Sequence, residues 1–313
     1  MYAATRHRVG ESNIKKTSEN LILPYEDQIP LMLRRRGGGV ALNDAFQRAH
    51  QGTPSGNLVR VPAGPETYWA FVPSDLPPNL PQSDELSMLL SRADIAIGKL
   101  SGVCLLLPTL LNPALIIRPY ASREAVLSSR IEGTVSSLSD LFLFEAANPT
   151  PGPKAGAAAN RQTHDIREIR NYIRAQEHGL ELLASLPLSL RLVRELHRVL
   201  MAGVRGSTET PGEFRRTQNR IGRPGSKLTD AQYVPPPPDA VITALDSWER
   251  FLHANIGLPG LIECALMHYQ FEAIHPFSDG NGRVGRLLIV MFLCARGTLS
   301  QPLLYLSAFI EVL

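Results

Sequence analysis

The sequence is poor in cysteine, in long apolar runs and in charge of one sign, and each shortage removes a class of protein. Only Cys104, Cys264 and Cys294 occur in 313 residues, each in or beside an apolar run. An odd, sparse set is no disulfide framework, and no two are spaced as zinc ligands. They read as buried, reduced thiols, which points to a cytoplasmic protein. The longest apolar run, Leu287 to Ala295, is about half of the roughly 20 residues a membrane helix needs. No membrane contact is therefore expected. The N-terminus carries Arg6, Arg8, Lys15 and Lys16 around no apolar core, so it does not read as a secretory signal. Lysine and arginine number 32 against 29 acidic residues, a net charge of +3. That balance gives no support for broad nucleic-acid binding. The run Arg34 to Arg36, followed by Gly37 to Gly39, reads as a solvated cluster.

Strand-like alternation is scarce as well, and what is present is helical. The chain is 44% hydrophobic and 19% charged, as a soluble globular protein is. Residues 1 to about 60 are poorly patterned and read as a disordered extension. A helical N-terminal module is expected over 61–150. Leu86, Leu89, Leu90, Ala93, Ile97 and Leu100 recur at three and four, the stripe of an amphipathic helix. A Pro-containing stretch, 102–120, precedes a second helix opened by Ser122, with Ala125, Val126, Ser129 and Glu132 at helical spacing. Gly133 suits the position just past its end, where a positive φ is wanted. The Pro- and Gly-rich stretch Asn148 to Gly156 marks a boundary, and a second domain is expected over 156–313. Helices are expected near 160–185, 188–203, 239–254, 259–274, 283–296 and 302–313. A turn-rich segment, 204–238, interrupts them and is too long for a plain connector. The class is all-α, with one small hairpin within 215–234.

The chemistry concentrates in His275-Pro276-Phe277-Ser278-Asp279-Gly280-Asn281-Gly282-Arg283-Val284-Gly285-Arg286. A residue before proline is pushed out of the helical region, so His275 ends a helix and faces a loop. Gly280 and Gly282 flank Asn281, and a new apolar run starts at Val284. A Gly-rich turn leading into a helix start aims backbone N–H groups outward and forms an anion nest. Arg283 and Arg286 lie in the first turn of that helix, where the dipole disfavours each cation by roughly 0.3–1 kcal/mol. A multiply charged anion such as a triphosphate would offset that cost. Asp279 beside phosphates is the residue type that holds Mg²⁺ through one carboxylate. His275 is the nearby group able to exchange a proton near neutrality. Gly280 to Gly285 also spells GxGxxG. The dinucleotide reading fails, because the preceding segment is helical and no acidic residue lies between Leu287 and Ile310.

The twelve residues resemble the Fic motif, HxFx(D/E)GNGRxxR, at every specified position. The resemblance implies an α-helical Fic fold and transfer of AMP from Mg-ATP to a Ser, Thr or Tyr hydroxyl of a target protein. It implies His275 as the general base, Asp279 as the Mg²⁺ ligand, and Gly280, Asn281, Gly282, Arg283, Val284, Gly285 and Arg286 as the ATP and phosphate site. Arg286 would hold the γ-phosphate, and Phe277 would be a packing anchor. The phosphotransferase, Doc-like branch carries lysine at the position of Gly282, so AMP transfer is favoured here. Upstream, Ser128-Ser129-Arg130-Ile131-Glu132-Gly133 resembles the family's inhibitory motif, (S/T)xxxE(G/N). It implies that Ser128, Glu132 and Gly133 form an inhibitory helix end whose glutamate pairs with Arg286. Pro211 to Arg215 and Tyr233 to Pro236 resemble the family's flap, with Tyr233 and Val234 docking the target. Removal of AMP, transfer of another nucleotide or a non-catalytic nucleotide-binding role stays open on the same fold. Family members often form homodimers, but the oligomeric state is not legible in the chain.

Overall fold

The computed structural model describes residues 52–310, except 64–65, 82, 111, 113, 148–160, 205–209 and 224. Of the extension expected over residues 1 to about 60, residues 1–51 lie outside the described residues. The first element is not helical. β1 (Gly56–Ala63) and β2 (Glu66–Pro73) pair antiparallel, with Gly56 opposite Pro73 and Ala63 opposite Glu66. Val59, Val61, Tyr68, Trp69 and Phe71 supply the β-branched and aromatic side chains that fit a pleated surface. The helical module expected from residue 61 thus opens with strand. The hairpin expected within 215–234 is reduced to one antiparallel bridge, Ile221 to Tyr233.

Helix α1 (Asp84–Leu110) starts where Ser83 Oγ accepts the Leu86 N–H (3.1 Å), with Asp84 and Glu85 in its first turn. It runs through much of the stretch expected to be irregular, and α2 (Ala114–Ile131) begins before Pro119. A proline in the second turn forfeits one helical bond, and the packing of Ala121, Ala125 and Val126 outweighs that loss. The end of α2 is a Schellman motif. Gly133, at φ 99°, donates to Arg130 O (2.9 Å), and the Thr134 N–H donates to Ser129 O (3.1 Å). α3 (Leu138–Ala147) and α4 (Arg161–Leu183) follow.

α4, α5 (Leu190–Leu200), α7 (Gly260–Ile274) and α2 pack against α8 (Asn281–Ala295), and α6 (Pro238–His253) packs on α7. α8 is buried on nearly every side, from Asn281 through Leu293. Ile169, Leu192, Leu196, Leu245, Trp248, Phe271, Leu288 and Phe292 form the core against it. The bundle therefore fixes where α8 starts. The helix expected over 302–313 is shorter, α9 (Ser307–Ile310), and residues 311–313 are outside the described set. Its start is held by Glu124 of α2, which accepts the Ser307 hydroxyl (2.6 Å) and N–H (3.2 Å). The three cysteines are free, and burial pushes Cys264 up to about 12 and Cys294 to about 11.

Candidate active site at the start of a buried helix

His275 ends α7 in the left-handed region, φ 49° and ψ 61°. Among the described residues it is the one non-glycine with positive φ. Such a conformation costs on the order of 1–3 kcal/mol and persists only where the surroundings impose it. Arg215 imposes it. Its guanidinium, 5% exposed, donates to the backbone carbonyls of His275 (2.9 Å), Ile274 (3.3 Å), Pro236 (2.6 Å) and Thr217 (3.1 Å). Its own N–H donates to Pro276 O (2.9 Å). Burial lowers Arg215 to about 10. Burial first, then the Arg215 charge, lowers His275 to about 4. Near neutrality the imidazole is therefore uncharged and able to accept a proton.

The loop from Phe277 to Gly280 is closed from within. Asn281 accepts the Phe277 N–H (2.8 Å) and donates to Phe277 O (2.8 Å). Its side chain is spent on the turn, leaving its backbone N–H for a ligand. His197 of α5 stacks on Phe277, ring centroids 3.8 Å apart. Its Nδ1 accepts the Gly212 N–H (2.8 Å), which leaves Nε2–H to donate to Asp279 O (3.1 Å). Gly280, at φ 77°, precedes α8, and the first helical bond is Val284 N–H to Gly280 O (3.0 Å). The N–H groups of Asn281, Gly282 and Arg283 come before that bond and have no helical acceptor. They are the nest.

Arg286 is 8% exposed and holds three contacts to α2 and its end. Nε donates to Ser128 Oγ (2.7 Å), and Nη2 donates to Ser128 O (3.0 Å) and Glu132 Oε1 (2.7 Å). A Cβ at Gly282 would collide with Glu132 Oε1. The glutamate thus lies directly over the nest. Arg283 is more enclosed, 3% exposed, and is held by Glu168 of α4 at 3.1 Å. Asp279 is half-exposed, its Oδ1 accepting the Gly280 N–H (2.6 Å) and lying 3.7 Å from Arg283. Beside it opens a hollow of about 350 Å³ lined by His197, Met201, Phe214, Arg216, Thr217 and Ser278. Among the described residues no group of three or more His, Cys, Asp or Glu could hold a metal alone. One exposed carboxylate beside an anion nest nevertheless suits Mg²⁺, which keeps most of its waters and binds through substrate phosphates.

His275, Asp279, Gly280, Asn281, Gly282, Arg286, Ser128 and Glu132 meet here. Other expected positions do not. Val284 is a core side chain whose N–H is spent on Gly280, and Gly285 faces Glu272 and His268. Both serve the packing of α8 rather than the nest. Tyr233 is 2% exposed, its hydroxyl donating to Ala273 O (2.7 Å), and both its backbone groups bond Ile221. Val234 O accepts the Phe71 N–H (2.9 Å). Both backbone groups of Tyr233 and the Val234 carbonyl are thus engaged within the fold.

Two profiles match in tandem: the Fic/DOC family N-terminal profile over residues 87–181, and the Fic/DOC family profile over residues 187–293. The chain belongs to the Fic/DOC family. Protein adenylyltransferase Fic of Drosophila grimshawi is 35% identical over 118 residues, 37% of this chain and 22% of that protein. The Drosophila virilis protein of the same name is 34% identical over the same shares. The chain thus matches about a fifth of the length of these curated relatives. A Fic family protein from Desulfovibrio desulfuricans G20 superposes with a TM-score of 0.53 and 24% identity, over 70% of this chain and 62% of that one. A Fic domain containing signaling protein from Bacteroides thetaiotaomicron gives 0.50 and 20%, over 65% and 73%. These structures share the fold.

In this Fic/DOC chain Ser128 falls under the N-terminal profile and Arg286 under the second, so their contact joins the two. His197, Arg215, Asn219 and Glu272 were not read as site residues from sequence. Asn219 donates to Phe277 O (3.1 Å) and Ser278 O (3.3 Å). Glu272 lies one turn before His275, its Oε2 4.0 Å from Nδ1. Burial pushes Glu272 up to about 7, with Arg286 opposing and Glu132 adding. That i, i+3 spacing on α7 was the one signal available for it.

Proposed function

We propose that the protein is an adenylyltransferase that moves AMP from ATP to a hydroxyl of a target protein and that Glu132 holds it in check. The observation that supports this is Glu132 seated over Gly282 and bonded to Arg286, where a nucleotide's terminal phosphate would bind. An arginine–carboxylate contact is charge-assisted and about twice as strong as a neutral hydrogen bond. A phosphate must displace it to reach the same guanidinium.

His275 takes the proton of the incoming hydroxyl, whose oxygen bonds the α-phosphorus of ATP as the bond to the pyrophosphate oxygen breaks. Pyrophosphate carries away the electron pair. The N–H groups of Asn281, Gly282 and Arg283 hold the phosphate oxygens, and Arg286 receives the γ-phosphate once Glu132 leaves. Arg283, through Glu168, fixes the helix start. Mg²⁺, carried by the nucleotide and held by Asp279, would neutralise phosphate charge. Barrier lowering comes from positioning and charge complementarity.

The test uses ATP labelled at the α- or the γ-phosphate with the unaltered chain and Glu132→Gly. Label from the α position alone is expected in protein, with more in Glu132→Gly. Label from the γ position, or no gain in the variant, overturns the reading. His275→Ala is expected to abolish transfer and keep ATP binding.

A further inference from the structure

This inference rests on the transfer reading and names what holds its base in register. A base histidine needs one ring nitrogen open to the substrate proton and the other protonated, and the partner of the second nitrogen decides which is which. Nδ1 of His275 is enclosed and completes no hydrogen bond among the described residues. The side chain keeps 15% of its surface, so that opening lies on the Nε2 side of the ring. What faces Nδ1 is Glu272, one turn earlier on α7. Its Oε2 lies 4.0 Å away, and its carbonyl acts on the same ring. The other carboxyl oxygen, Oε1, is enclosed and likewise without a partner among the described residues. Unmade bonds of enclosed polar groups cost on the order of 1–3 kcal/mol each, so facing orphans of this kind call for a role. A catalytic hydrogen bond is often long in the free protein and tightens when the substrate binds.

Charged and titratable groups reach this pair from several elements. Arg286 of α8 favours the ionised form of Glu272, and Glu132 at the end of α2 opposes it. His268, one turn back on α7, is lowered to about 4 by burial, and the Tyr233 hydroxyl is raised by burial, with Glu272 adding. Arg215 and Asp279 act on His275 from the loops. Space for the carboxyl comes from Gly285 on α8, where a Cβ would collide with Glu272 Oε1. That is a local reason for glycine at a position the nest does not use. We infer that Glu272 is the positioning residue of the base: its carboxylate takes the Nδ1–H of His275 and leaves Nε2 to receive the proton of the target hydroxyl. The electron pair of the hydroxyl O–H bond enters the bond to the α-phosphorus, and the proton goes to Nε2. The carboxylate then holds the imidazolium until the proton passes to water. A protonated Glu272 is instead a donor toward Nδ1, which puts the ring proton on Nε2 and blocks the base.

The test uses the full chain carrying Glu132→Gly, alone and with Glu272→Gln or Gly285→Ala, labelled with ¹⁵N-histidine. The first substitution keeps the shape and removes the charge, and the second crowds the carboxyl without removing it. His275→Ala assigns the His275 ring signals. Long-range ¹H–¹⁵N spectra are expected to show His275 protonated at Nδ1 above pH 7 in the parent and a mixture of tautomers in both variants. Transfer from α-labelled ATP is expected to fall roughly 10²-fold in both, with the Kd for ATP kept within about threefold. The acid limb of the parent's rate, expected between the ordinary 4.5 of Glu272 and about 7, should move in Glu272→Gln to the His275 value of about 4. An unchanged tautomer in both variants, an unmoved acid limb, or transfer lost only together with ATP binding overturns the inference. A tautomer that shifts as expected while no chain, the parent included, incorporates AMP would sink the transfer reading and leave the positioning contact standing. Incorporation at the parent's rate in both variants would do the reverse.

Discussion

A single buried arginine, Arg215, holds the backbone of His275 in a conformation the residue would not choose. Its acceptors are carbonyls on three separate segments, at Thr217, Pro236 and Ile274–His275. Lysine carries the charge but not the planar fork, so Arg215→Lys is expected to strand buried carbonyls. Denaturant unfolding should register a loss of about 2 kcal/mol or more, with transfer lost in parallel. Ser128 and Glu132 offer a second contrast. Ser128→Ala removes a buried acceptor from Arg286 Nε and should lower stability by about 1–3 kcal/mol. Glu132→Gly removes a side chain that is a third exposed and should leave stability within about 1 kcal/mol. Thermal unfolding of the two variants side by side checks this. The motif residues were legible because their types are chemically unusual in sequence. Arg215 and His197 were not, because an arginine serving backbone carbonyls and a neutral buried histidine leave no pattern along the chain.

Among the elements, the helices around the core were legible to within a few residues, since α4 to α7 each bury a periodic face and α8 is one long apolar run. The misses share a cause. β1 and β2 are short, and their alternation is weak beside Pro62 and Gly64. Prolines in the 102–120 stretch suggested a break where packing continued the helices. The end of α2 yields a sharp test. Gly133→Ala forces an L side chain to φ 99°, at a cost of about 1 kcal/mol, and unsettles the turn that presents Glu132. AMP incorporation should rise, though less than in Glu132→Gly, when measured with α-labelled ATP. The β1–β2 hairpin likewise reaches beyond its own fold. It packs Phe71 on Tyr233 and Ala273, so it braces the Ile221–Tyr233 bridge against the end of α7.

Across the whole molecule, buried histidines set the response to acid. His197, His268 and His275 are all lowered to about 4 from an ordinary 6.5, chiefly by burial. The unfolded chain binds these protons near pH 6.5 and the folded chain only near 4. Their stabilisation is therefore complete above 6.5 and lost as pH falls toward 4. Glu272 acts with the opposite sign. Raised from 4.5 to about 7, it favours the folded state at low pH and loses that contribution as pH rises between those values. Glu124, also raised chiefly by burial, acts with Glu272. Three histidines outweigh the two carboxyls, so unfolding free energy from denaturant titration should decline from pH 6.5 to 4.

The bonds to Arg286 come from two positions of unlike burial. Ser128 sits in the interior of α2, fully buried, whereas Glu132 sits on its final turn, beyond the last helical residue. Fraying that turn would swing the carboxylate out while the serine kept the guanidinium aimed at the vacated space. On the proposed function the arrangement would act as a latch on a fixed strike plate. Opening it would require no repacking of the bundle, so release of the glutamate would leave the alignment that transfer demands intact.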